Sequence, residues 1–407
     1  MSGPETNDLR LGFIPLSDAA PLIVAREHGF FEEEGLRVEL SREASWANIR
    51  DRVASGALDG GHMLAPMTLA ASMGVGGERT PMTVPLALNL NGAAVTVSKA
   101  LAGALRAVDP AGMAGAGRTA VPLARLIAAR RDRGQPVLTF AVVFPYSIHA
   151  YALRYWLAAG GVDPDRDLRL VVAPPQRMAE RLAAGKIDGF CVGAPWSGLS
   201  VSQGVGEVLL HASDIWRMGP DKVFGLTRAW GEANPQALQA AIRALLKAAA
   251  WADRAENRPA LARLLAQPAY LDAHESLVRQ SLMPVAPGEP APIVYSRHAA
   301  GFPWRSHALW FLTQMLRWGQ IGPEVDLRRA ADAVYRPDLY RQAAASLALA
   351  APLADDKPEG EHDGPWVLED ASAPIPMAAD RFFDGRVFDP RDPLAYVRDF
   401  AISRLGG

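Results

Sequence analysis

Short apolar runs alternate with longer amphipathic stretches along the first half of the chain. The runs predict buried strands, which lie at residues 9–15, 36–40, 58–64, 137–144 and 168–172. The stretches between them predict helices, which lie at residues 19–29, 47–55, 148–159 and 176–184. Asp18 is the expected N-cap of the first helix. Strand–helix–strand alternation at this spacing predicts parallel strands joined by right-handed crossovers, and therefore an α/β fold.

One pattern of glycine, aspartate and proline occurs twice, at residues 53–67 and 182–196. Each copy predicts a helix, a tight turn, a short buried strand and an Ala-Pro pair that opens another helix. The positions that recur at one constant offset are Gly56, Asp59, Gly60, Ala65 and Pro66 in the first copy and Gly185, Asp188, Gly189, Ala194 and Pro195 in the second. A repeat this long predicts two similar α/β lobes that face each other across a cleft, where small molecules bind readily.

The chain must cross between the two predicted lobes twice. Apolar runs at residues 82–90 and 93–98 flank Asn91-Gly92, a pair that predicts a hairpin turn because both residues tolerate positive φ. We expect the first crossing near Ser98 and the return near residue 225. Lobe I then comprises residues 1–98 and 225–407, and lobe II comprises residues 99–224.

Beyond residue 258 the pattern changes. Predicted helices at residues 259–266, 306–317 and 325–333 alternate with Pro-rich loops such as residues 284–292. A polar, acidic stretch at residues 353–374 predicts a surface arm, because it is too long for an ordinary connection. We expect this region to be a C-terminal extension that wraps lobe I.

The composition is that of a soluble globular protein, since 49% of the 407 residues are hydrophobic and 21% are charged. The formal net charge of −2 gives no electrostatic reason to expect nucleic-acid binding. The single cysteine, Cys191, excludes an internal disulfide, and its apolar surroundings predict an inert buried thiol. No apolar run is long enough to span a bilayer, and no secretory leader precedes the first predicted strand. We therefore expect a cytoplasmic protein that does not contact the membrane.

Signatures of catalysis and of metal or cofactor binding are absent from the sequence. The GxSxG, P-loop, HExxH and CxxC motifs do not occur, and the eight histidines lack the spacing of metal ligands. The stretch GMAGAG at residues 112–117 has some likeness to a dinucleotide-binding loop, but no convincing strand precedes it. We therefore expect a binding protein without a cofactor or metal, and not an enzyme.

Candidate ligand-binding residues lie where predicted strands end and helices begin, since ligands of open α/β sheets bind at these edges. Helix N-termini there offer free N–H groups to an anion. The residues so placed are Trp46, His149, Gly193, Trp196 and Lys222. Structural alternatives stay open for each: a hydrophobic staple for Trp46, a cap or surface position for His149, a turn for Gly193, core packing for Trp196 and a solvated charge for Lys222.

Nine stretches that together run along almost the whole chain resemble a known family, the nitrate- and bicarbonate-binding proteins of ABC transporters. They are LGFIPLSDAAPLIVAREHGFFEEEGL, SWANIRD, LDGGHMLAPM, LNLNGAAVTVS, FPYSIHAYALRYWLAAGG, IDGFCVGAPW, DKVFGLT, SHALWFLTQMLRWG and FFDGRVFDP. Within this family, the chain is most similar to the cytoplasmic nitrate/nitrite sensors of the NasS type. The resemblance implies a two-lobed type II periplasmic-binding-protein fold that closes on a small oxyanion by hinge motion.

The resemblance also implies which residues bind the anion. Ligand-binding positions of the family fall on Trp46, Asn91, Gly92, His149, Gly193, Pro195, Trp196 and Lys222. In these roles Lys222 neutralises the anion, and His149 and the Gly193 N–H donate to its oxygens. Trp46 forms a wall against a planar ligand. Bicarbonate binders carry an acidic residue and a metal ion in place of the lysine, so Lys222 favours nitrate or nitrite.

Three alanines, Ala93, Ala150 and Ala194, stand where family members often carry amide or acidic side chains, which leaves the anion preference open. The two branches of the family also differ in location. Transport components are exported, whereas NasS-type sensors work inside the cell and hold an RNA-binding antiterminator, NasT, inactive until nitrate or nitrite binds. The resemblance therefore implies a cytoplasmic sensor with a NasT-like partner and no direct contact with nucleic acid. The alternative is the substrate-binding component of a nitrate or bicarbonate transporter.

Overall fold

The structure is a computed structural model, and it describes residues 4–113, 119–284 and 292–405. In chain order, its strands are β1 (Asp8–Phe13), β2 (Arg37–Arg42), β3 (Gly60–Leu64), β4 (Met82–Ala87), β5 (Leu90–Asn91), β6 (Ala93–Ser98), β7 (Thr139–Val142), β8 (Arg169–Val172), β9 (Gly189–Gly193), β10 (Gly206–His211), β11 (Lys222–Thr227), β12 (Ile293–Val294), β13 (Trp366–Leu368) and β14 (Ile375–Met377). Its helices are α1 (Ala20–Glu27), α2 (Phe30–Glu33), α3 (Trp46–Ala54), α4 (Ala65–Met73), α5 (Lys99–Val108), α6 (Val121–Asp132), α7 (Ile148–Ala159), α8 (Met178–Ala183), α9 (Trp196–Ser202), α10 (Ala212–Ile215), α11 (Arg228–Ala233), α12 (Pro235–Asp253), α13 (Arg258–Ala266), α14 (Glu275–Leu282), α15 (Arg305–Arg317), α16 (Leu327–Val334), α17 (Pro337–Ser346) and α18 (Pro393–Arg398).

Ten of the described strands form two five-stranded sheets with helices packed on them. The first sheet has the strand order β2-β1-β3-β11-β4, and the second has the order β10-β6-β9-β7-β8. β1 pairs parallel with β2 and β3, and β7 pairs parallel with β8 and β9. The two sheets confirm the predicted α/β fold, and the parallel pairs arise from the strand–helix–strand alternation of the sequence.

The repeated aspartate makes the same pair of hydrogen bonds with a neighbouring strand in both sheets. In the first sheet, the Asp59 carboxylate accepts a hydrogen bond from the Arg10 N–H at 2.7 Å, while the Asp59 N–H donates to the Arg10 carbonyl at 2.9 Å. In the second sheet, Asp188 makes the same two bonds with Thr139, both at 2.7 Å. The repeated glycine before each aspartate has positive φ, 74° in one copy and 64° in the other, which ends the preceding helix. Each aspartate therefore aligns β3 or β9 beside β1 or β7.

The Asn91-Gly92 turn connects the two sheets instead of closing a hairpin. Asn91 has a φ of 62° and Gly92 a φ of 102°, as the turn signal predicted. However, β4 lies in the first sheet, whereas β6 pairs with β9 and β10 in the second. The hairpin prediction was wrong, because local turn chemistry does not determine which strand the chain pairs with next. The second sheet also includes β6, which the sequence analysis assigned to lobe I, and the first sheet includes all of β11, from Lys222 onward.

The C-terminal extension contacts both lobes, not lobe I alone. Its helix α15 packs on α4 of lobe I and on α7 of lobe II. The Tyr155 hydroxyl of α7 lies 3.1 Å from the Tyr396 hydroxyl and donates to the Asp384 carboxylate at 3.0 Å. Arg404 forms an ion pair with Asp163, just after α7. These contacts could not be predicted from the sequence, because an apolar pattern indicates burial and not which element covers the residue.

Other differences from the sequence predictions lie mainly at loops and element ends. α7 has the predicted bounds, residues 148–159. The predicted arm at residues 353–374 contains β13, which pairs antiparallel with β14. Residues 114–117 of the GMAGAG stretch and 285–291 of a predicted Pro-rich loop lie outside the described residues. Among the helices that the structure describes, none has the length and apolar character that crossing a bilayer requires.

Candidate functional site

Five polar side chains from separate parts of the chain meet where the two lobes contact each other. They are Asp18, His62, His149, Asp221 and Lys222, and we call them the buried polar cluster. Asp18 follows β1, His62 lies in β3 and Lys222 opens β11, all on the side of the first sheet, whereas His149 lies in the first turn of α7, which packs on the second sheet. Each is at most 2% exposed, so protein groups and not water must stabilise the charges that these side chains carry.

Lys222 is the centre of the cluster. Its ammonium donates to Asp18 Oδ2 at 2.8 Å and to Asp221 Oδ1 at 2.6 Å. Burial lowers the pKa of Lys222 and the two carboxylates raise it, with a net rise, so the side chain stays charged. The solvated surface position that the sequence left open for this lysine is wrong, because its side chain is fully buried.

Asp18 is an ion-pair partner and not the helix cap that the sequence analysis expected. α1 begins at Ala20, and no side chain among the described residues caps its N-terminus. Asp18 Oδ2 instead accepts a hydrogen bond from the Lys222 ammonium, and Asp18 Oδ1 lies 2.9 Å from His62 Nε2. Burial raises the pKa of Asp18, but Lys222 and His62 lower it further, so the carboxylate is ionised. Sequence reasoning missed this role because its partners lie far along the chain.

His149 has no partner for either ring nitrogen among the described residues, although the side chain is fully buried. It does not cap α7, because the Ser147 hydroxyl accepts from the Ala150 N–H at 3.1 Å and fills that role. A methyl group placed on Gly193 would lie 3.4 Å from His149 Nε2 and 3.2 Å from Asp18 Oδ2. Gly193 therefore keeps the space between these two polar atoms free of a side chain. Burial is the main reason that the pKa of His149 is well below its usual value.

Trp46 borders the cluster on the side of lobe I. It is the first residue of α3, which Ser45 caps through its hydroxyl. The indole ring packs edge-on against His62 with centroids 5.2 Å apart, and Lys222 Nζ lies 5.7 Å from the centroid. This distance allows a cation–π attraction, and the ring gives the cluster a flat, apolar wall.

Two hydrogen bonds join the lobes beside the cluster. The Ser17 N–H donates to the Ala194 carbonyl at 2.9 Å, and the Trp196 indole N–H donates to the Pro15 carbonyl at 2.9 Å. Pro195 lies between these contacts, in a cis peptide bond with Ala194. The loop after β1 thus binds the start of α9 in the other lobe. In this closed arrangement, Trp196 contacts the opposite lobe.

Asn89, which the sequence analysis did not select, supports the connection between lobes beside Lys222. Its side-chain N–H donates to the Asn91 carbonyl at 2.8 Å, and its side-chain oxygen accepts from the Lys222 backbone N–H at 3.3 Å. The Asn91 side chain contacts Met218 Sδ at 3.6 Å, and Gly92 follows at the change of sheet. These contacts place Asn91 and Gly92 at the joint between the lobes, next to the strand that carries Lys222.

The remaining chemistry predicted from sequence concerns Cys191 and metal ligands. Cys191 is buried in β9, and burial raises the pKa of its thiol, which agrees with the predicted inert thiol. In the part of the chain that the structure describes, no group of three or more His, Cys, Asp or Glu side chains is arranged to hold a metal ion.

Comparison with known proteins places the chain in a family. Residues 2–266 match the profile of the NMT1-like family. The chain belongs to the NMT1-like family. The nitrate/nitrite binding protein NrtA of Synechocystis sp. is 33% identical to it over 420 residues, which cover 99% of this chain and 87% of NrtA. The bicarbonate-binding protein CmpA of Synechococcus sp. is 30% identical over 98% of this chain and 88% of CmpA.

Two further similarities show how much of each relative this NMT1-like chain covers. The nitrate import ATP-binding protein NrtC of Synechocystis sp. is 36% identical over 413 residues, but the chain spans only 56% of its length. The crystal structure of the periplasmic nitrate-binding protein NrtA from Synechocystis PCC 6803 matches 98% of this chain with a TM-score of 0.83 and 31% identity, and all of NrtA is covered. The predicted family and the periplasmic-binding-protein-like fold are thereby confirmed.

Replacing Lys222 with methionine should destabilise this NMT1-like protein strongly, because two buried carboxylates lose their cation. We expect the free energy of unfolding to fall by about 3–5 kcal/mol at pH 8, measured by urea denaturation. Without Lys222 the carboxylates have raised pKa values in the folded state. Protonation of these carboxylates stabilises the variant at low pH, and this stabilisation is lost as pH rises. The loss in the free energy of unfolding should therefore be smaller at pH 5 than at pH 8.

Lys247→Met is the matched control for this experiment. Lys247 also binds two carboxylates, Glu33 at 3.1 Å and Glu34 at 2.7 Å, but its side chain is 28% exposed. Solvent screens such pairs, so the expected loss is below about 1 kcal/mol. Equal losses in the two variants would show that the buried polar cluster has no special electrostatic role.

Proposed function

We propose that the chain binds one nitrate or nitrite ion in the buried polar cluster, and that this binding controls a partner protein. The observation that carries the proposal is His149, whose ring nitrogens are both buried and have no hydrogen-bond partner among the described residues. A buried polar group without a partner is costly. A ligand that accepts a hydrogen bond from the imidazole would remove that cost.

Charge and shape around His149 favour a small oxyanion. Lys222 carries a third ammonium N–H beyond the two that the carboxylates accept. Gly193 leaves space beside His149 Nε2, and Trp46 supplies a flat wall near Lys222. Nitrate and nitrite are planar, and their oxygens accept hydrogen bonds from both kinds of donor. The similarity to NrtA, a nitrate/nitrite binding protein, supports the same ligand.

The regulatory part of the proposal rests on closure of the lobes. A ligand in the cluster favours the arrangement in which the loop after β1 binds Ala194 and Trp196. A partner that binds only the open arrangement is then released. We propose that this partner is an RNA-binding antiterminator of the NasT type and that the two proteins meet in the cytoplasm, because the sequence resembles NasS-type sensors.

A transport role is the second candidate function. The similarity to the nitrate/nitrite binding protein NrtA and to the import protein NrtC favours it. In that role the same site would bind the same anion, and closure would serve delivery to an ABC transporter. The two candidates differ in the partner and not in the chemistry of the site.

Replacing His149 with alanine should weaken nitrate binding, because the ion loses a buried donor. We expect the Kd to rise about 10- to 100-fold, equivalent to about 1.4–2.7 kcal/mol, in isothermal titrations of desalted protein with nitrate and nitrite. His274→Ala is the matched control, since His274 is exposed at the start of α14. An unchanged Kd in the His149 variant would contradict the site, and binding of bicarbonate in place of both ions would contradict the ligand.

The sensor role predicts that nitrate releases the partner. We expect the immobilised protein to retain a purified NasT-like antiterminator in nitrate-free buffer and to lose most of it at saturating nitrate. The His149→Ala variant should retain more of the antiterminator at the same nitrate concentration, because a smaller fraction of it is liganded. Failure to bind the antiterminator under either condition would count against the sensor role and leave the transport role.

A further inference from the structure

The buried polar cluster holds more negative than positive charge before any ligand binds. Asp18 and Asp221 are carboxylates, and Lys222 is the ammonium that contacts both. Burial lowers the pKa of His62 and of His149, which keeps the two imidazoles neutral near pH 7. With both carboxylates ionised, the net charge of the cluster is therefore −1, in a region that water does not reach.

An anion that enters this cluster adds a second uncompensated negative charge. Burying such a charge is costly, and like charges a few ångströms apart favour protonation of one of them. A proton taken up together with the anion keeps the net charge of the cluster at −1, its value before binding. Nitrate and nitrite are weak bases, so the proton must be held by a side chain.

Asp221 is the side chain best placed to hold that proton. Its Oδ1 accepts from Lys222 Nζ at 2.6 Å, but its Oδ2 is buried and has no hydrogen-bond partner in the described part of the chain. Asp18 Oδ2 also accepts from Lys222 Nζ, at 2.8 Å, and its Oδ1 likewise has no hydrogen bond in the described part of the chain, but His62 Nε2 lies 2.9 Å from it. The ionised form of Asp221 is therefore less stabilised than that of Asp18.

The groups that face Asp221 from the surrounding elements agree with this assignment. They are Asp18 after β1, Asn89 before β5, Cys191 in β9 and the adjoining Lys222. Burial is the main reason that the pKa of Asp221 rises; Asp18 also raises it, whereas Lys222 and the Asn89 side chain lower it, which leaves it at about 7. His149 is a poorer proton acceptor, because burial and Lys222 lower its pKa by more than Asp18 raises it.

We propose that the site takes its anion together with one proton, which binds Asp221, and that it therefore accepts monovalent oxyanions and rejects divalent ones. This inference rests on the proposed binding of nitrate or nitrite. A divalent ion such as sulfate brings a second charge that a single proton does not balance. Asp221 thus determines which ligand charge the site accepts, without contacting the ligand directly.

Isothermal titration with nitrate in two buffers of different ionisation enthalpy counts the protons that are taken up. At pH 8 we expect close to one proton per nitrate, and at pH 6, where Asp221 is already protonated, close to none. The apparent affinity should fall about tenfold from pH 6 to pH 8, since only the protonated form binds. Sulfate should neither bind nor displace nitrate.

Asp221→Asn tests which group holds the proton. The neutral amide should bind nitrate with the same affinity at pH 6 and pH 8 and take up no proton at either pH. Asp165→Asn is the control, because Asp165 lies after α7 with its side chain 37% exposed, and it should keep the proton uptake of the unaltered protein. Proton uptake that persists in the Asp221 variant would overturn the assignment.

Titrations of the unaltered protein test the inference even if the Asp221 variant does not fold. Nitrate binding at pH 8 without proton uptake would overturn the inference and leave the proposed anion binding intact. Sulfate binding as tight as nitrate binding would also overturn it. A protein that binds neither nitrate nor nitrite at any pH would overturn the proposed function, and this inference with it.

Discussion

The contact between the Lys222 ammonium and its two carboxylates is the interaction on which the rest of the structure depends. Lys222 opens β11, and Asp18 lies in the loop after β1, so their 2.8 Å contact fixes that loop. The same loop binds lobe II through Ser17, which donates to Ala194, and through Pro15, which accepts from Trp196. A buried ion pair adds little net stability, but removal of one partner is severe. The cluster therefore determines the closed geometry more than it stabilises the fold.

The C-terminal extension imposes a second constraint on any motion of the lobes. α15 packs on both lobes, and the Tyr155 hydroxyl of lobe II contacts Tyr396 and Asp384 of the extension. Opening the cleft requires the interlobe hydrogen bonds that Ser17 and Trp196 donate to break. The extension must then either move with lobe II or slide on it. Ligand binding thus acts together with a small set of identified contacts that hold the lobes closed, which gives the proposed closure a structural basis.

The two-lobed architecture could be predicted from the sequence because it is encoded locally and occurs twice. Asp59 and Asp188 recur at equivalent positions, and each makes the same two hydrogen bonds with a neighbouring strand. The role of Asp18 could not be predicted, because a carboxylate before a helix usually caps it, and its partner Lys222 lies 204 residues away. The hairpin expected at Asn91 failed for a related reason, since turn residues specify local backbone conformation and not the sheet that the chain enters next. Part of the predicted ligand-binding set came from the pattern of strand ends and helix starts and the rest from family resemblance, and the whole set stays a prediction.

A crystal structure of the protein with bound nitrate tests the central claim most directly. We expect planar density between the lobes and beside the ring of Trp46, within hydrogen-bond distance, about 2.7–3.2 Å, of His149 Nε2 and Lys222 Nζ. Asp18 and Asp221 should keep their contacts with Lys222. Nitrate bound elsewhere, with His149 still without a partner, would contradict the account and leave the buried polar cluster a purely structural feature.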